Sequence, residues 1–167
     1  PMFFGTTIEE NLRKIRPNIS ERELEEIIEI TGLGQVLEDF PDGISTEINQ
    51  FGLPLSHGNR ITLAIARSLV SQPRIFMIDE AISSLDKSAQ IGFLKNIDRI
   101  SAGKTLLVVT HEMRLIQSFD QITVLDEGAV VGFGKHESLL ENCITYKMLW
   151  SMDQKLSNPA VITSDTP

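Results

Sequence analysis

Cysteine and long apolar runs are scarce in this sequence of 167 residues, and each scarcity excludes a class of protein. The single cysteine, Cys143, excludes an internal disulfide framework and a thiolate metal cluster, and it is consistent with a reducing compartment. The stretches TLLVV and IFMI are far shorter than the roughly 20 apolar residues of a membrane-spanning helix. Any role at a membrane must therefore come through a partner.

Basic charge is scarce as well. The chain has 15 lysine and arginine residues against 23 aspartate and glutamate residues, a formal net charge of -8. Such a chain repels a phosphate backbone unless its cations are gathered in one patch, and the sequence has no such patch. We therefore expect no nucleic-acid partner. The length and the hydrophobic fraction of 41% fit one soluble domain with a core of its own.

Hydrophobic periodicity predicts helices that alternate with strands. Helices are predicted at residues 7–15, 20–34, 36–40, 56–72, within 87–100, at 112–118 and at 137–150. Strands are predicted at residues 75–78 and 105–110, and the segment QITVLDEGAVVGFG predicts a hairpin that turns at Glu127 and Gly128. This order predicts an α/β domain whose central strands are covered on both faces.

Polar side chains follow the two predicted central strands. Asp79 and Glu80 follow the first strand, and His111 follows the second. Ligands gather beyond the carboxyl ends of the strands in open sheets of this kind. Taken alone, an acidic pair at a strand end often simply meets water, and a lone histidine at a helix start is more often structural or solvated.

Two predicted helix starts also carry polar side chains. Ser56 precedes one helix, and Asp86 precedes the next. Each side chain by itself fits an ordinary N-cap. A helix start also directs unpaired N–H groups and the positive end of the helix dipole toward an anion, so an anion-binding role is the second possibility.

Taken together and in this order, the motifs resemble the nucleotide-binding domains of ABC transporters, especially the exporter-type branch. LSHGN at residues 55–59 resembles the signature loop LSGGQ, IFMIDE resembles Walker B with its following glutamate, SSLD resembles the D-loop, and VVTHE resembles the switch strand. FFGTTIEENL is similar to the segment after the Q-loop, and DGISTEINQFG is similar to the region that faces the transmembrane coupling helices. The resemblance runs through about Trp150. It implies a truncated P-loop NTPase-like parallel-sheet core with a helical signature subdomain.

The resemblance also implies roles for nine residues. Phosphoryl transfer to water needs positioning and charge stabilisation, so Asp79 is expected to contact Mg²⁺ and Glu80 to act as the general base in ATP hydrolysis. His111 is expected to contact the γ-phosphate or the attacking water. The residues expected to contact ATP held by an opposite subunit are Ser56, His57, Gly58, Asn59, Ser84 and Asp86.

The implied partners are a second nucleotide-binding domain in a head-to-tail dimer, identical or different, and the transmembrane domain of the same transporter. The implied location is the cytoplasmic face of a membrane. Residues 1–152 are expected to form a partial nucleotide-binding domain, with the signature subdomain up to about residue 72 and the Walker B and switch part from about residue 73. Residues 153–167 are expected to form a flexible tail.

The pattern G-x-x-x-x-G-K-[ST] of a phosphate-binding loop is missing from the sequence. The nearest stretch, DRISAGKT, has Asp98 in place of the first glycine, and it precedes a strand instead of following one. Lys104 therefore fits a turn. We interpret the chain as the C-terminal portion of a longer protein, and we expect this portion alone to bind ATP poorly.

The signature loop departs from the family pattern at two positions. His57 replaces a glycine, where a side chain can crowd a phosphate, and Asn59 replaces a glutamine. We favour a weakened site over one in which a protonated His57 assists the phosphates.

Three functions remain open. The first is the ATPase part of a membrane exporter, the second is a regulatory module that binds nucleotide or a partner without efficient turnover, and the third is a soluble ABC-type ATPase. The stretches FFGTTIEENL and TEINQFG favour an exporter over the third.

Overall fold

The computed structural model describes residues 1–157, and its side chains are described as far as residue 154. The fold is mixed α/β and consists of two compact units, Pro1–Val109 and a second that begins at Thr110. The predicted division near residue 72 concerns a smaller subdomain than these units, and it stays a prediction. Within residues 1–157, no helix is long and apolar enough to cross a bilayer.

The first unit contains six helices and two pairs of strands among its residues. Its elements are β1 (Thr6–Thr7), α1 (Ile8–Arg13), α2 (Glu21–Thr31), α3 (Leu33–Glu38), β2 (Glu47–Ile48), α4 (His57–Val70), β3 (Ile75–Asp79), α5 (Lys87–Lys95), α6 (Ile97–Ser101) and β4 (Thr105–Val109). Short 3-10 turns lie at Gly43–Ser45 and Ile82–Ser84. Strand β1 pairs antiparallel with β2, and β3 pairs parallel with β4.

The early helices begin and end where the sequence predicts. Thr7 caps α1 by accepting a hydrogen bond from the N–H of Glu10. The Ser20 hydroxyl accepts from the N–H of Glu23 at 3.3 Å, which is the N-cap bond of the predicted capping box, and it donates to the Glu23 carboxylate at 3.1 Å. Gly32 ends α2 with φ of +75°, a left-handed conformation that glycine adopts without steric strain.

The core of the first unit lies where α1, α2 and α3 pack against α4. Its fully buried members include Ile8, Leu12, Leu33, Leu63 and Val70. Burying one such side chain contributes roughly 1.5–3 kcal/mol, so this cluster fixes the position of α4 and of the serine that precedes it.

Strands β3 and β4 are covered on one face only. Phe76 and Ile78 are buried, whereas Ile75, Met77 and Leu107 are exposed apolar side chains. The expectation that helices cover both faces is therefore wrong for the described residues. A continuous apolar run does not reveal which of its alternating side chains meet another element.

Two predicted helices are each divided in two. The helix within residues 87–100 is split into α5 and α6 at Asn96, whose backbone leaves the helical region and whose side chain donates to the carbonyl of Gly92 at 3.1 Å. The predicted helix 137–150 is split at Cys143, which has extended backbone angles. Both residues can satisfy backbone groups without continuing the helix, and periodicity alone does not detect this.

The second unit holds a hairpin and three helices among its described residues: α7 (Met113–Ile116), β5 (Ile122–Asp126), β6 (Ala129–Gly134), α8 (His136–Asn142) and α9 (Ile144–Ser157). The turn at Glu127 and Gly128 has positive φ at both residues, which confirms the predicted hairpin. Residues 153–157 continue α9, and the prediction of a flexible tail from residue 153 stays a prediction. Residues 158–167 lie outside the described part of the chain.

Candidate functional site

The acidic pair lies at the carboxyl end of β3. Asp79 is the last residue of the strand, and Glu80 follows it with φ of +52°. A non-glycine residue in this left-handed region costs on the order of 1–3 kcal/mol, and it persists only where the surroundings hold it. The N–H of Glu80 donates to the carbonyl of Val109 at 2.9 Å, so the end of β4 holds this conformation. Both residues are exposed.

Ser83 contacts the carboxylate of Glu80, a partner that the sequence analysis did not identify. Its hydroxyl donates to Oε2 of Glu80 at 3.4 Å from the turn Ile82–Ser84. The sequence signal that could have indicated this contact is a serine placed three residues after the glutamate in a tight turn. The contact biases the orientation of the Glu80 side chain.

Ser56 caps α4. Its Oγ accepts a hydrogen bond from the N–H of Asn59 at 3.1 Å, so the N-cap role that the sequence left open is filled. The hydroxyl keeps its own O–H as a donor. His57 is the first residue of the helix and is exposed.

The residues of the D-loop motif lie next to this helix start. A Cβ atom on Gly58 would be 3.6 Å from the carbonyl oxygen of Ser84, an ordinary van der Waals contact. Asp86 caps α5 by accepting from the N–H of Ala89 at 2.8 Å. The structure thus brings the signature residues and the D-loop residues together within the first unit.

A small cavity of about 100 Å³ lies between these segments, and Gly58, Asn59 and Asp86 are part of its lining. Small-molecule sites have volumes of roughly 300–1,000 Å³, so this cavity is too small to enclose a nucleotide. The predicted contact of Ser56 and His57 with ATP stays a prediction.

His111 belongs to the second unit. It follows β4 by two residues and is exposed, and the neighbouring Thr110 hydroxyl accepts from the N–H of Glu112 at 3.0 Å. This turn fixes the backbone just before α7. The predicted convergence of His111 and Glu80 on one phosphate stays a prediction.

The acidic pair fits a magnesium ion that completes its shell with water and phosphate oxygens better than a metal ion whose ligands are all protein side chains. Among the described residues, no three side chains of histidine, cysteine, aspartate or glutamate are grouped as a metal cluster. Mg²⁺ commonly takes one or two carboxylates and completes its shell with water and substrate phosphates. Asp79 fits this pattern as a single carboxylate ligand.

An exposed apolar loop is attached directly to the start of α4. Phe51 and Leu53 are 61% and 54% exposed, and the side-chain oxygen of Asn49 accepts from both of their N–H groups. Arg60 of α4 donates to the carbonyl of Phe51 at 2.9 Å. Because a Cβ on Gly52 would lie 2.6 Å from Arg60 Cδ, only glycine permits this contact. Sequence reasoning did not identify Arg60, because the contact joins residues nine positions apart through a loop.

Comparison with known proteins finds homologues that match most of the chain. The chain is 38% identical over 140 residues to the mitochondrial potassium channel ATP-binding subunit of Xenopus tropicalis, a match that covers 84% of this chain and 20% of that protein. It is 36% identical over 142 residues to ABC transporter B family member 4 of Dictyostelium discoideum, covering 85% of this chain and 18% of that protein. It is 33% identical over 153 residues to human ATP-binding cassette sub-family B member 6, a match that covers 92% of this chain and 18% of that protein. No family model matches the chain.

A solved structure of a bacterial Atm1-family ABC exporter with ATP bound superposes on 92% of this chain with a TM-score of 0.83 and 29% sequence identity. This chain belongs to the ABC exporter family. The ABC exporter segment described here covers 27% of that solved chain, and it spans 18–20% of the length of the three relatives above. The family resemblance predicted from the motifs is thus confirmed, and so is the α/β fold class.

Proposed function

We propose that this chain supplies the ATP-hydrolysing machinery of an ABC exporter and couples hydrolysis to the export of a substrate. The observation that carries the proposal is the acidic pair at the end of β3, where Glu80 is held in a left-handed backbone conformation by the carbonyl of Val109. Strain at a strand end is typical of groups that are placed for chemistry. Family membership supplies ATP as the substrate that this pair would act on.

In the proposed reaction, Glu80 accepts a proton from a water molecule as the water oxygen bonds to the γ-phosphorus. The bond from that phosphorus to the bridging oxygen breaks, and ADP leaves with the electron pair. Ser83 restricts the carboxylate of Glu80 to one side of the turn. His111 would donate to a γ-phosphate oxygen from the segment after β4. Mg²⁺ bound at Asp79 would neutralise charge on the phosphate oxygens.

The signature residues would act on ATP that a second nucleotide-binding domain holds. Ser56 retains an O–H donor, and the first turn of α4 supplies N–H groups and the positive end of the helix dipole. The small cavity beside Gly58 cannot enclose a nucleotide, which favours this arrangement. Asn59, Ser84 and Asp86 would lie at the interface between the two nucleotide-binding domains.

The transmembrane domain of the transporter would contact the loop that carries Phe51 and Leu53. These are large exposed apolar side chains on a loop that hydrogen bonds make rigid, which is typical of a docking surface. The nucleotide-binding part would then lie at the cytoplasmic face of the membrane.

A second candidate is a regulatory module with little turnover. The exposed imidazole of His57 favours it, because this side chain occupies a glycine position of the signature pattern. The intact acidic pair at Asp79 and Glu80 favours hydrolysis, so the ATPase is the function we propose first.

Replacing Glu80 with glutamine in the complete protein tests the proposal. We expect ATP turnover to fall by about 10²–10⁴-fold, the range that a general base contributes, while ATP still binds. Glu127→Gln is the matched control, because Glu127 also follows an aspartate at a strand end and also has positive φ. Turnover that survives Glu80→Gln would reject the assigned base, and loss of turnover in both variants would indicate a general effect of charge.

A further inference from the structure

A groove on the first unit lies between α1, α2, α3 and the turn Gly43–Ser45, far from the end of β3 in sequence. It has a volume of about 470 Å³. Its lining contains both apolar and acidic side chains. We call it the acidic groove, and its lining includes Leu24, Ile28, Leu37 and Ile44 together with Glu9, Glu21, Glu25 and Glu38.

The apolar lining is continuous with the core but remains accessible. Leu24 is buried, whereas Ile28, Leu37 and Ile44 are half-buried and pack against the core cluster. A partner that covered these three side chains would remove further apolar surface from water, at about 25 cal/mol per Å². The groove is therefore favourable for apolar anchors.

The carboxylates of the groove are only partly neutralised. Arg13 bridges Glu9 and Glu21, and these contacts raise the pKa of Arg13. Glu25 and Glu38 are exposed, and no cation in the described part of the chain pairs with either. A cation brought by a partner would thus find two available carboxylates.

One feature of the groove departs from the local preference of a helix. Gly34 is the second residue of α3, where alanine is favoured by up to about 1 kcal/mol. A Cβ there would meet only Ile28 Cγ2 at 3.6 Å, so steric crowding does not explain the glycine. Gly34 is part of the lining of the groove.

We propose that the acidic groove is a docking site for a basic amphipathic segment of a partner polypeptide. Apolar side chains of this segment lie against Ile28 and Leu37, and its lysine or arginine side chains pair with Glu25 and Glu38. An anionic membrane surface would be repelled by the same carboxylates, which favours a polypeptide. The proposal does not depend on ATP hydrolysis by this chain.

The test uses a fluorescein-labelled 14-residue amphipathic peptide of leucine and lysine, titrated with the full chain and followed by fluorescence anisotropy. We expect saturable binding that weakens as salt is added. Gly34→Leu adds bulk to the lining of the groove without requiring positive φ, and we expect it to weaken binding by about tenfold or more. Gly34→Ala leaves most of the space and should change binding much less.

Charge is tested separately with Glu25→Gln combined with Glu38→Gln, which should weaken binding by about tenfold and reduce its salt dependence. The matched control combines Asp120→Asn with Glu141→Gln, two exposed carboxylates outside the groove that change the net charge equally. Circular dichroism and thermal unfolding of each variant identify any that fail to fold. Amide NMR shifts of Gly34 on adding peptide report docking without any substitution.

Four results would overturn the proposal. These are no binding of the leucine–lysine peptide, equal binding of a leucine–glutamate peptide, equal weakening by the control pair, and unchanged binding to a folded Gly34→Leu variant. Binding of the chain to anionic phosphatidylserine vesicles, abolished by Gly34→Leu, would also reject it in favour of a membrane surface.

Discussion

At the scale of single residues, Asn11 holds the chain segment that leads into α1. Its side chain is fully buried, accepts from the N–H of Phe4 at 2.8 Å, and donates to the carbonyls of Phe4 at 3.1 Å and Thr7 at 2.9 Å. One amide side chain thus joins the backbone of Phe4 and Thr7 to α1.

Asn11→Ala should destabilise the first unit by about 1–3 kcal/mol, because the N–H of Phe4 and the carbonyl of Thr7 lose the partner that the buried amide side chain supplies. Urea unfolding followed by circular dichroism measures the change. Asn18→Ala, at an exposed position, is the control and should be close to neutral. Equal stability of the two variants would show that water replaces the lost hydrogen bonds.

The signature loop differs from the family pattern at two single residues, His57 and Asn59. We expect His57→Gly combined with Asn59→Gln to raise ATP turnover of the complete protein, because a side chain at this glycine position of the signature can crowd a phosphate. Initial rates at saturating ATP measure the effect. A fall in turnover would mean that His57 assists the phosphates when it is protonated.

At the scale of secondary-structure elements, two glycines near one helix boundary have opposite roles. Gly32 ends α2 with φ of +75°, whereas Gly34 lies in the helical conformation of α3. Gly32→Ala should cost about 1–2 kcal/mol, because a Cβ strains the left-handed conformation. Gly34→Ala should instead stabilise the fold by up to about 1 kcal/mol through helix propensity.

Urea unfolding of both alanine variants measures these opposite shifts, and each variant serves as the control of the other. A stabilised Gly32→Ala variant would contradict the assigned helix end. A destabilised Gly34→Ala variant would mean that Ile28 cannot yield to the added methyl group.

Local chemistry decides which elements could be predicted from the sequence. Helix starts at Thr7, Ser20 and Ser56 and the turn at Glu127 were predictable, because each depends on residues that are adjacent in the chain. The division at Asn96 was not, since it depends on a backbone geometry that periodicity does not encode.

The sequence likewise predicts some features of the candidate site and not others. The positions of Asp79 and Glu80 at the end of β3 followed from the apolar run before them. The contact of Arg60 with Phe51 could not be predicted, because it depends on how the loop packs against α4, whereas the contact of Ser83 with Glu80 had only the weak signal of their spacing.

At the scale of the whole molecule, the two compact units have separate cores. The single tyrosine and the single tryptophan of the chain, Tyr146 and Trp150, both belong to the second unit. Tyr146 is 1% exposed, and its hydroxyl lies 2.7 Å from Nδ1 of His136. Intrinsic tyrosine and tryptophan signals therefore report on the second unit alone.

Burial, and next the charge of Glu137, raise the pKa of Tyr146 above its usual value of 10.0. Because the folded pKa lies above the unfolded one, this group contributes stability that is present below about pH 10 and is lost as pH rises through the folded pKa. We expect tryptophan fluorescence to show alkaline unfolding of the second unit. Tyr146→Phe should weaken that pH dependence.

Phenolate absorbance measures the titration directly, since no other tyrosine contributes to it. A midpoint at the value of free tyrosine, in the folded protein, would contradict the assigned burial. Glu137→Gln is the partner variant and should lower the midpoint slightly, because it removes the smaller of the two causes.

The contact between Arg60 and the carbonyl of Phe51 has a mechanical consequence. The loop and the start of α4 are coupled, because Arg60 donates to the carbonyl of Phe51 and its stem packs closely against Gly52. Arg60 lies about one helical turn after Ser56 and His57. We expect a partner that displaces Phe51 to shift these two residues as well.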